Sequence, residues 1–119
     1  MAISATTFLR GHVLRGHVYW ADLEPTFGSQ QRGRRPCLVL TADAINAVRR
    51  TVGVVPLSSS PATAEPIVVA VASVGANSVA LCDQLRAVEK KKIAKLIGKV
   101  TDAELALVEA SVMAVFGLK

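Results

Sequence analysis

Short apolar runs, each bounded by turn-forming residues, follow one another along most of the chain. They lie at 17–23, 37–40, 52–57, 67–74, 78–82 and 84–88. Runs of this length between Gly, Pro, Ser and Asn are typical of β-strands, and the recurring Val suits a pleated surface. The run at 37–40 is wholly apolar, which predicts a strand buried on both faces. The pattern therefore predicts a small barrel or sandwich.

Helical patterns are fewer and lie mainly near the end of the chain. Residues 43–49 predict a short helix, and residues 90–96 predict one or two helical turns before a final strand at 97–100. Thr101 and Glu104 have the spacing of a capping box. Apolar residues at helical spacing follow, and Gly117 is a suitable stop. We therefore expect a mainly β body with short helices, closed by a C-terminal helix.

A short motif occurs twice near the start of the sequence. Arg10-Gly11-His12-Val13 recurs as Arg15-Gly16-His17-Val18, and two copies this short do not form a repeat architecture. Residues 1–14 are predicted to be a flexible N-terminal extension. Residues 15–119 are predicted to form a single domain, as the length of 119 residues suggests.

Composition and charge restrict the class of partner. Apolar residues make up 51% of the chain, which excludes a disordered protein, and the net charge is +5. Such a charge favours a nucleic acid, an anionic surface or an acidic protein. No apolar run is long enough to cross a bilayer, and residues 1–9 lack a signal-peptide pattern, so we expect a cytoplasmic protein without a membrane partner. Cys37 and Cys82 have no metal-ligand spacing, so we expect reduced thiols and neither metal nor cofactor.

Familiar catalytic motifs are missing. The sequence has no P-loop, no GxGxxG, no HExxH and no GxSxG. His12 and His17 are the only histidines, and an acid–base pair made from them would depend on the predicted flexible arm, so a solvated pair is favoured. Asp22 and Glu24 share one face of a predicted strand, but surface charges are again favoured.

Basic and hydroxyl residues are more informative. Arg32, Arg34 and Arg35 surround a junction between a loop and a strand, and Arg35 directly precedes Pro36. A guanidinium anchored there presents a fixed fork of donors that suits a phosphate. A run of three lysines at 90–92, with Lys95 and Lys99, fits either a solvated face or a surface that follows a nucleic-acid backbone. The serines at 58–60 follow a predicted strand, where they fit turn chemistry or donation to a phosphate.

Several motifs in order resemble the MazF/PemK-like toxin family. Arg15 to Pro25, then Gly28-Ser29-Gln30-Gln31 and Arg35-Pro36, resemble the opening of these toxins. Val54-Val55-Pro56-Leu57-Ser58-Ser59 resembles the end of their V-P-L-T-S strand. Ser78 to Arg86, with Asp83-Gln84, resembles a further family block, and Ile97 to Val100 matches as well. The resemblance runs from about Arg15 to Leu118.

The resemblance implies a fold and an activity. The fold would be the SH3-like β-barrel of the MazF/CcdB type, acting as a homodimer. The activity would be ribosome-independent, sequence-specific cleavage of single-stranded RNA without metal. The 2′-OH of the RNA would attack, leaving a 2′,3′-cyclic phosphate and a 5′-OH.

The resemblance also implies site residues. Arg35 matches the family's catalytic arginine, and Ser58 matches its hydroxyl partner, which is usually Thr. Relatives usually have Glu where this sequence has Gln30. The residues that match the family's RNA groove are Phe27, Ser29, Gln30, Gln31, Arg32, Arg34, Ser59, Asp83, Gln84 and Arg86.

The implied partner is a cognate antitoxin. Its acidic, largely disordered segment would fold across the RNA groove, and the complex would also bind DNA in autoregulation. Two alternatives stay open. One is a gyrase poison of the CcdB type, although its C-terminal Trp is missing here. The other is a non-catalytic barrel that binds RNA or an acidic peptide.

Overall fold

The computed structural model describes residues 13–23, 33–59 and 66–118. These residues form a mainly β structure with two α-helices, and this class confirms the prediction. The elements in chain order are β1 (His17–Asp22), β2 (Arg34–Val39), α1 (Asp43–Val48), β3 (Thr51–Ser58), β4 (Val68–Ala70), β5 (Val79–Leu81), β6 (Arg86–Glu89), β7 (Ile93–Lys99) and α2 (Asp102–Phe116). Single 3-10 turns occupy Ala72–Val74, Cys82–Gln84 and Lys90–Lys92.

The strands form one antiparallel sheet in the order β4-β5-β3-β2-β1-β7. β3 is the longest strand, and it pairs with β6 through Thr51–Val54 and with β5 through Leu57 and Ser58. The turn at Lys90–Lys92 leads from β6 into β7, which returns to β1. Within the described ranges β6 and β7 do not pair with each other. The sheet therefore curls as a barrel does, but hydrogen bonds do not close it.

Apolar side chains pack on both faces of the curled sheet. Successive strand residues point to opposite faces, so Tyr19 and Cys37 enter one cluster while Val18 and Leu38 enter the other. The first cluster, which we call the inner core, lies inside the curl and also holds Val39, Val54 and Val88 among others. The second, the helix-side core, is covered by Val108 and Val112 of α2. Because both faces are packed, Cys37, Leu38 and Val39 are all buried, as their apolar run predicted.

α2 begins and ends as its sequence predicts. The Thr101 hydroxyl accepts the Glu104 amide at 3.0 Å, and the Glu104 carboxylate accepts the Thr101 amide at 3.0 Å. This capping box satisfies two amide groups at the start of the helix. Gly117 takes a left-handed conformation with φ +70°, which is open to glycine and stops the helix. Glu104 also accepts hydrogen bonds from the amide and the hydroxyl of Ser73, so the start of α2 is bound to the Ala72–Val74 turn.

Two predicted elements differ from the structure. Residues 90–96 were expected to be helical, but only Lys90–Lys92 form a turn and β7 already begins at Ile93. Lysine, alanine and leucine favour helices locally, but pairing with β1 decides the conformation. The predicted strand at 67–74 ends at Ala70, and Ala72–Val74 turn instead, ahead of Gly75 at φ +157°.

Arg15 joins the start of the described chain to the rest of the molecule. Its amide donates to Asp43 Oδ1 at 2.7 Å, its guanidinium donates to the Leu40 carbonyl at 2.6 Å, and it forms an ion pair with Glu109 of α2. Residues 1–12 of the predicted extension lie outside the described residues. Val13 is buried in the inner core, and the Leu14 amide donates to the Tyr19 hydroxyl at 3.0 Å.

Asn46 is a buried polar residue that stabilises the end of the sheet near α1. Its side chain is 1% exposed and donates to the Thr41 carbonyl at 2.8 Å. The Thr41 hydroxyl donates to Asn46 Oδ1 at 2.5 Å and accepts the Gly53 amide at 3.1 Å. Lys90 Nζ donates to the Asn46 carbonyl at 2.6 Å. These bonds hold α1 between the ends of β2 and β3, because a buried amide left unpaired would be costly.

Candidate active site

A groove of about 320 Å³ opens at the end of the sheet opposite Asn46. β2 begins and β3 ends there, because the two strands run antiparallel. Their register pairs Cys37 with Pro56 nearest this end. Arg35 lies two residues before Cys37, Ser58 lies two residues after Pro56, and both line the groove. The groove is lined by Trp20, Arg34, Arg35, Pro36, Leu57, Ser58, Ser59 and Ser78.

Arg35 is a half-buried residue on a well-packed strand. It lies opposite Ala21 of β1, which is fully buried, and it precedes Pro36, whose ring fixes the backbone. The Cys37 thiol donates to the Arg35 carbonyl at 3.6 Å. Burial raises the pKa of Cys37 to about 11, although the charges of Arg35 and Arg86 act to lower it. The thiol is therefore neutral and supports the Arg35 backbone from inside.

Arg86 lies near Arg35 but outside the lining of the groove. It pairs with Val54 across β3 and β6, so it shares the face of Cys37. It lines a neighbouring pocket of about 190 Å³ together with Asp22, Ala87, Val88, Glu89 and Lys92. The structure thus places the predicted Arg86 in a second recess of mixed charge.

The other predicted site residues fall into three groups. Arg34 and Ser59 are exposed and line the groove with Arg35 and Ser58. Asp83 and Gln84 are exposed in the Cys82–Gln84 turn and do not line it. Outside the described residues lie Phe27, Ser29, Gln30, Gln31 and Arg32.

The groove combines positive charge with hydroxyl groups. Within the described ranges, no hydrogen bond or ion pair engages the guanidinium groups of Arg34 and Arg35. Guanidinium forks bind phosphate oxygens in pairs, and serine hydroxyls add single donors. Donors placed on rigid strand ends need little reorganisation when negative charge develops. The arrangement therefore suits an anionic group such as a phosphodiester.

Comparison with known proteins agrees with this chemistry. The model of the PemK-like, MazF-like toxins of type II toxin–antitoxin systems matches residues 14–116. The chain belongs to this toxin family. It is 31% identical over 101 residues to the endoribonuclease MazF9 of Mycobacterium tuberculosis, which covers 77% of this chain and 86% of that protein.

Solved structures of relatives have the same fold. MazF of Deinococcus radiodurans (Form-I) superposes with a TM-score of 0.76 at 29% identity, covering 90% of this chain and 98% of that one. MazF in the MazE-MazF complex (Form-III) of the same organism gives a TM-score of 0.75 at 28% identity, with coverage of 90% and 98%. Family membership thus places this toxin in the expected fold class. It also favours an RNA endonuclease over the gyrase-poison alternative.

Four residues that line the toxin's groove were not among the predicted site residues. They are Trp20, Pro36, Leu57 and Ser78. Trp20 had one local signal. It is a large aromatic residue on a predicted strand whose buried face the sequence pattern left uncertain. Ser78 opens the block that ends at Arg86, but nothing in the pattern indicates that it meets β3. Pro36 and Leu57 belong to apolar runs and give no separate signal.

The described residues contain no group of three or more His, Cys, Asp or Glu placed to hold a metal ion. No helix in the described part of this toxin has the length and apolarity needed to cross a membrane.

Proposed function

We propose that this toxin is an endoribonuclease that cuts single-stranded RNA at a short sequence without metal or cofactor. The observation that carries this is the meeting of Arg35 and Ser58 in one groove, on neighbouring strand ends. MazF9, with which the chain shares 31% identity, is an endoribonuclease. The cleavage mechanism below uses only Arg35, Ser58 and the 2′-OH of the RNA.

The RNA itself supplies the nucleophile in this mechanism. The 2′-OH gives up its proton as its oxygen attacks the adjacent phosphorus, the bond from phosphorus to the 5′-oxygen breaks, and the 5′-oxygen takes up a proton as it leaves. The products are a 2′,3′-cyclic phosphate and a 5′-OH. Arg35 stabilises the charge that gathers on the phosphorane oxygens and relays the proton from the 2′-OH to the leaving 5′-oxygen. Ser58 donates a hydrogen bond to the same group.

We extend the proposal to regulation and assembly. A cognate antitoxin with an acidic, disordered segment would cover the groove, since MazF occurs in MazE-MazF complexes in D. radiodurans. We also propose that the toxin is a homodimer and acts in the cytoplasm, where its RNA substrate lies.

One experiment tests the activity directly. Purified protein is incubated with a long RNA in excess EDTA, and the new ends are mapped and assayed for cyclic phosphate. Discrete cuts are expected from wild type, none from Arg35→Ala, and cuts from the neighbouring Arg34→Ala variant at a reduced rate. The same incubation without EDTA is run in parallel. If wild type cuts nothing in either incubation, the proposed activity is wrong. If it cuts only without EDTA, the metal-free mechanism is wrong.

A further inference from the structure

Trp20 is the single tryptophan of the chain, and 38% of its surface is exposed. It follows Val18 by two residues on β1, so both side chains leave the same face of the sheet. Val18 is fully buried in the helix-side core, beneath Val108 and Val112 of α2. The cover given by α2 therefore ends between Val18 and Trp20, and the indole lies in the groove wall.

The two strands beside β1 shape the sheet around Trp20. On β2 its cross-strand partner is Pro36, and such partners have Cβ atoms about 4.5–5.5 Å apart. On β7 the pairs Tyr19–Leu96 and Ala21–Ile93 enclose an irregularity, since β1 advances by two residues while β7 advances by three. A bulge increases the local twist and redirects side chains. The indole thus sits beside a rigid ring at a bend of the sheet.

The groove around Trp20 matches the alternating chemistry of a single-stranded nucleic acid. Arg34, Arg35 and Ser58 offer donors for phosphate oxygens, whereas the indole and the Pro36 ring offer a flat apolar surface. Proteins that bind single strands combine a basic groove with aromatic rings on which unpaired bases stack. An acidic peptide would use the arginines but gives no reason for an exposed indole in the same groove.

We propose that Trp20 is a binding residue on which one base beside the scissile phosphate stacks. This inference rests on the proposed function, because it takes RNA to be the occupant of the groove. Stacking at Trp20 fixes how far the strand advances past Arg35 and Ser58. It therefore sets the register in which a phosphate meets the catalytic groups.

The fluorescence of Trp20 gives a direct test, since the chain has no other tryptophan. A short RNA centred on a mapped cleavage site carries a 2′-deoxy sugar at the attacking position, so that it binds without being cut. Titrating it into wild type is expected to quench the emission. Trp20→Leu is expected to bind it about 5- to 150-fold more weakly, the range for one lost stack. Trp20→Phe, which keeps a ring, is expected to fall between them.

The matched control is Val48→Ala, which shortens a 76% exposed side chain on α1, away from the groove. It is expected to bind the RNA as wild type does. Thermal melting of all three variants reports whether each folds.

Abasic substitution then locates the base. The same RNA is made with one base removed at each position in turn. At one position next to the scissile phosphate, wild type is expected to lose the affinity that Trp20→Leu has already lost. At that position, removal of the base is expected to leave the RNA affinity of Trp20→Leu unchanged.

The outcomes separate this inference from the proposed function. If wild type cuts no RNA, the proposed function fails and the stacking role fails with it. If wild type cuts RNA while Trp20→Leu binds and cuts equally well, only the stacking role is wrong. A shift of the emission with protein concentration in the absence of RNA, with no quenching by RNA, would mean that a second copy of the chain covers Trp20.

Discussion

The two ends of the curled sheet use their cations differently. At the end near α1, Arg15 donates to the Leu40 carbonyl and pairs with Glu109, and Lys90 donates to the Asn46 carbonyl. At the groove end, the guanidinium groups of Arg34 and Arg35 have no such partner within the described ranges. All four are basic residues of the same chain, so charge alone does not separate them. What separates them is whether the fold already occupies their donors.

This difference has a physical consequence. A cation whose donors are taken by carbonyls and carboxylates contributes to folding and has little left for a ligand. A cation held on a rigid strand without a partner contributes little to stability but is ready to bind an anion. Substitutions near α1 should therefore change stability, whereas substitutions in the groove should change the rate of RNA cleavage.

Exchanging arginine for lysine at both ends is expected to give the largest contrast. Arg35→Lys keeps the charge but loses the guanidinium fork, so turnover should fall by about 100-fold or more. Arg15→Lys should leave the turnover of folded protein unchanged and cost about 1 kcal/mol of unfolding free energy, because the ion pair is partly exposed. Cleavage kinetics and urea denaturation measure the two effects. Equal loss of turnover in both variants would contradict this division of roles between the two ends.

Ser58 offers the next largest effect. Ser58→Ala removes one donor from the groove, and turnover should fall by about tenfold to a thousandfold. Ser58→Thr should match or exceed wild type, because a β-branched side chain has a more restricted χ1. Ser59→Ala is the neighbouring control. If Ser59→Ala has the greater effect on the rate, the hydroxyl partner of Arg35 is Ser59.

Asn46 tests the end of the sheet near α1. Asn46→Ala removes the acceptor of the Thr41 hydroxyl and the donor to the Thr41 carbonyl, so unfolding free energy should fall by about 1–3 kcal/mol. Turnover per folded molecule should not change, because Asn46 lies at the opposite end of the sheet. Urea midpoints and rates measured at low temperature test the two parts separately. A slower rate in the folded variant would show that the two ends are coupled.

Glu104 gives the smallest expected effect, and it depends on pH. Partial burial acts to raise its pKa, but hydrogen bonds from Ser73 and Thr101 outweigh it and hold the pKa below its usual range. A carboxyl with a lowered pKa in the folded state stabilises the protein above its unfolded pKa, and this contribution is lost as pH falls through the folded value. Glu104→Gln should therefore melt at a lower temperature near pH 7, with the gap closing in acid. A gap that is constant with pH would contradict the ionic origin.

Much of the fold could be predicted from local pattern. The capping box of Thr101 and Glu104 and the stop at Gly117 are short-range signals, and the structure confirms them. β2 was recognised by its apolar run because both of its faces are packed. The start of β7 could not be recognised, since pairing with β1 outweighs the helical preference of its residues.

Some residues of the candidate site could likewise be predicted from the sequence, and others could not. Arg35 and Ser58 were predicted from strand ends and from the resemblance, and the structure places them in one groove, while their roles stay predictions. Trp20 was missed because its exposure depends on where α2 stops covering the sheet. That boundary follows from packing between elements far apart in the chain.

The irregular pairing of β7 bears on how the chain tolerates changes in length. Removing Ala94 or Lys95 would leave Leu96 opposite Tyr19 and Ile93 opposite Ala21, now in regular pairing. Both flanking pairs would keep their faces, so the inner core would lose nothing. The sheet would flatten beside Trp20, and the wall of the groove would turn with it. A single deletion at this edge strand would thus reshape the groove while every residue that lines it stays the same.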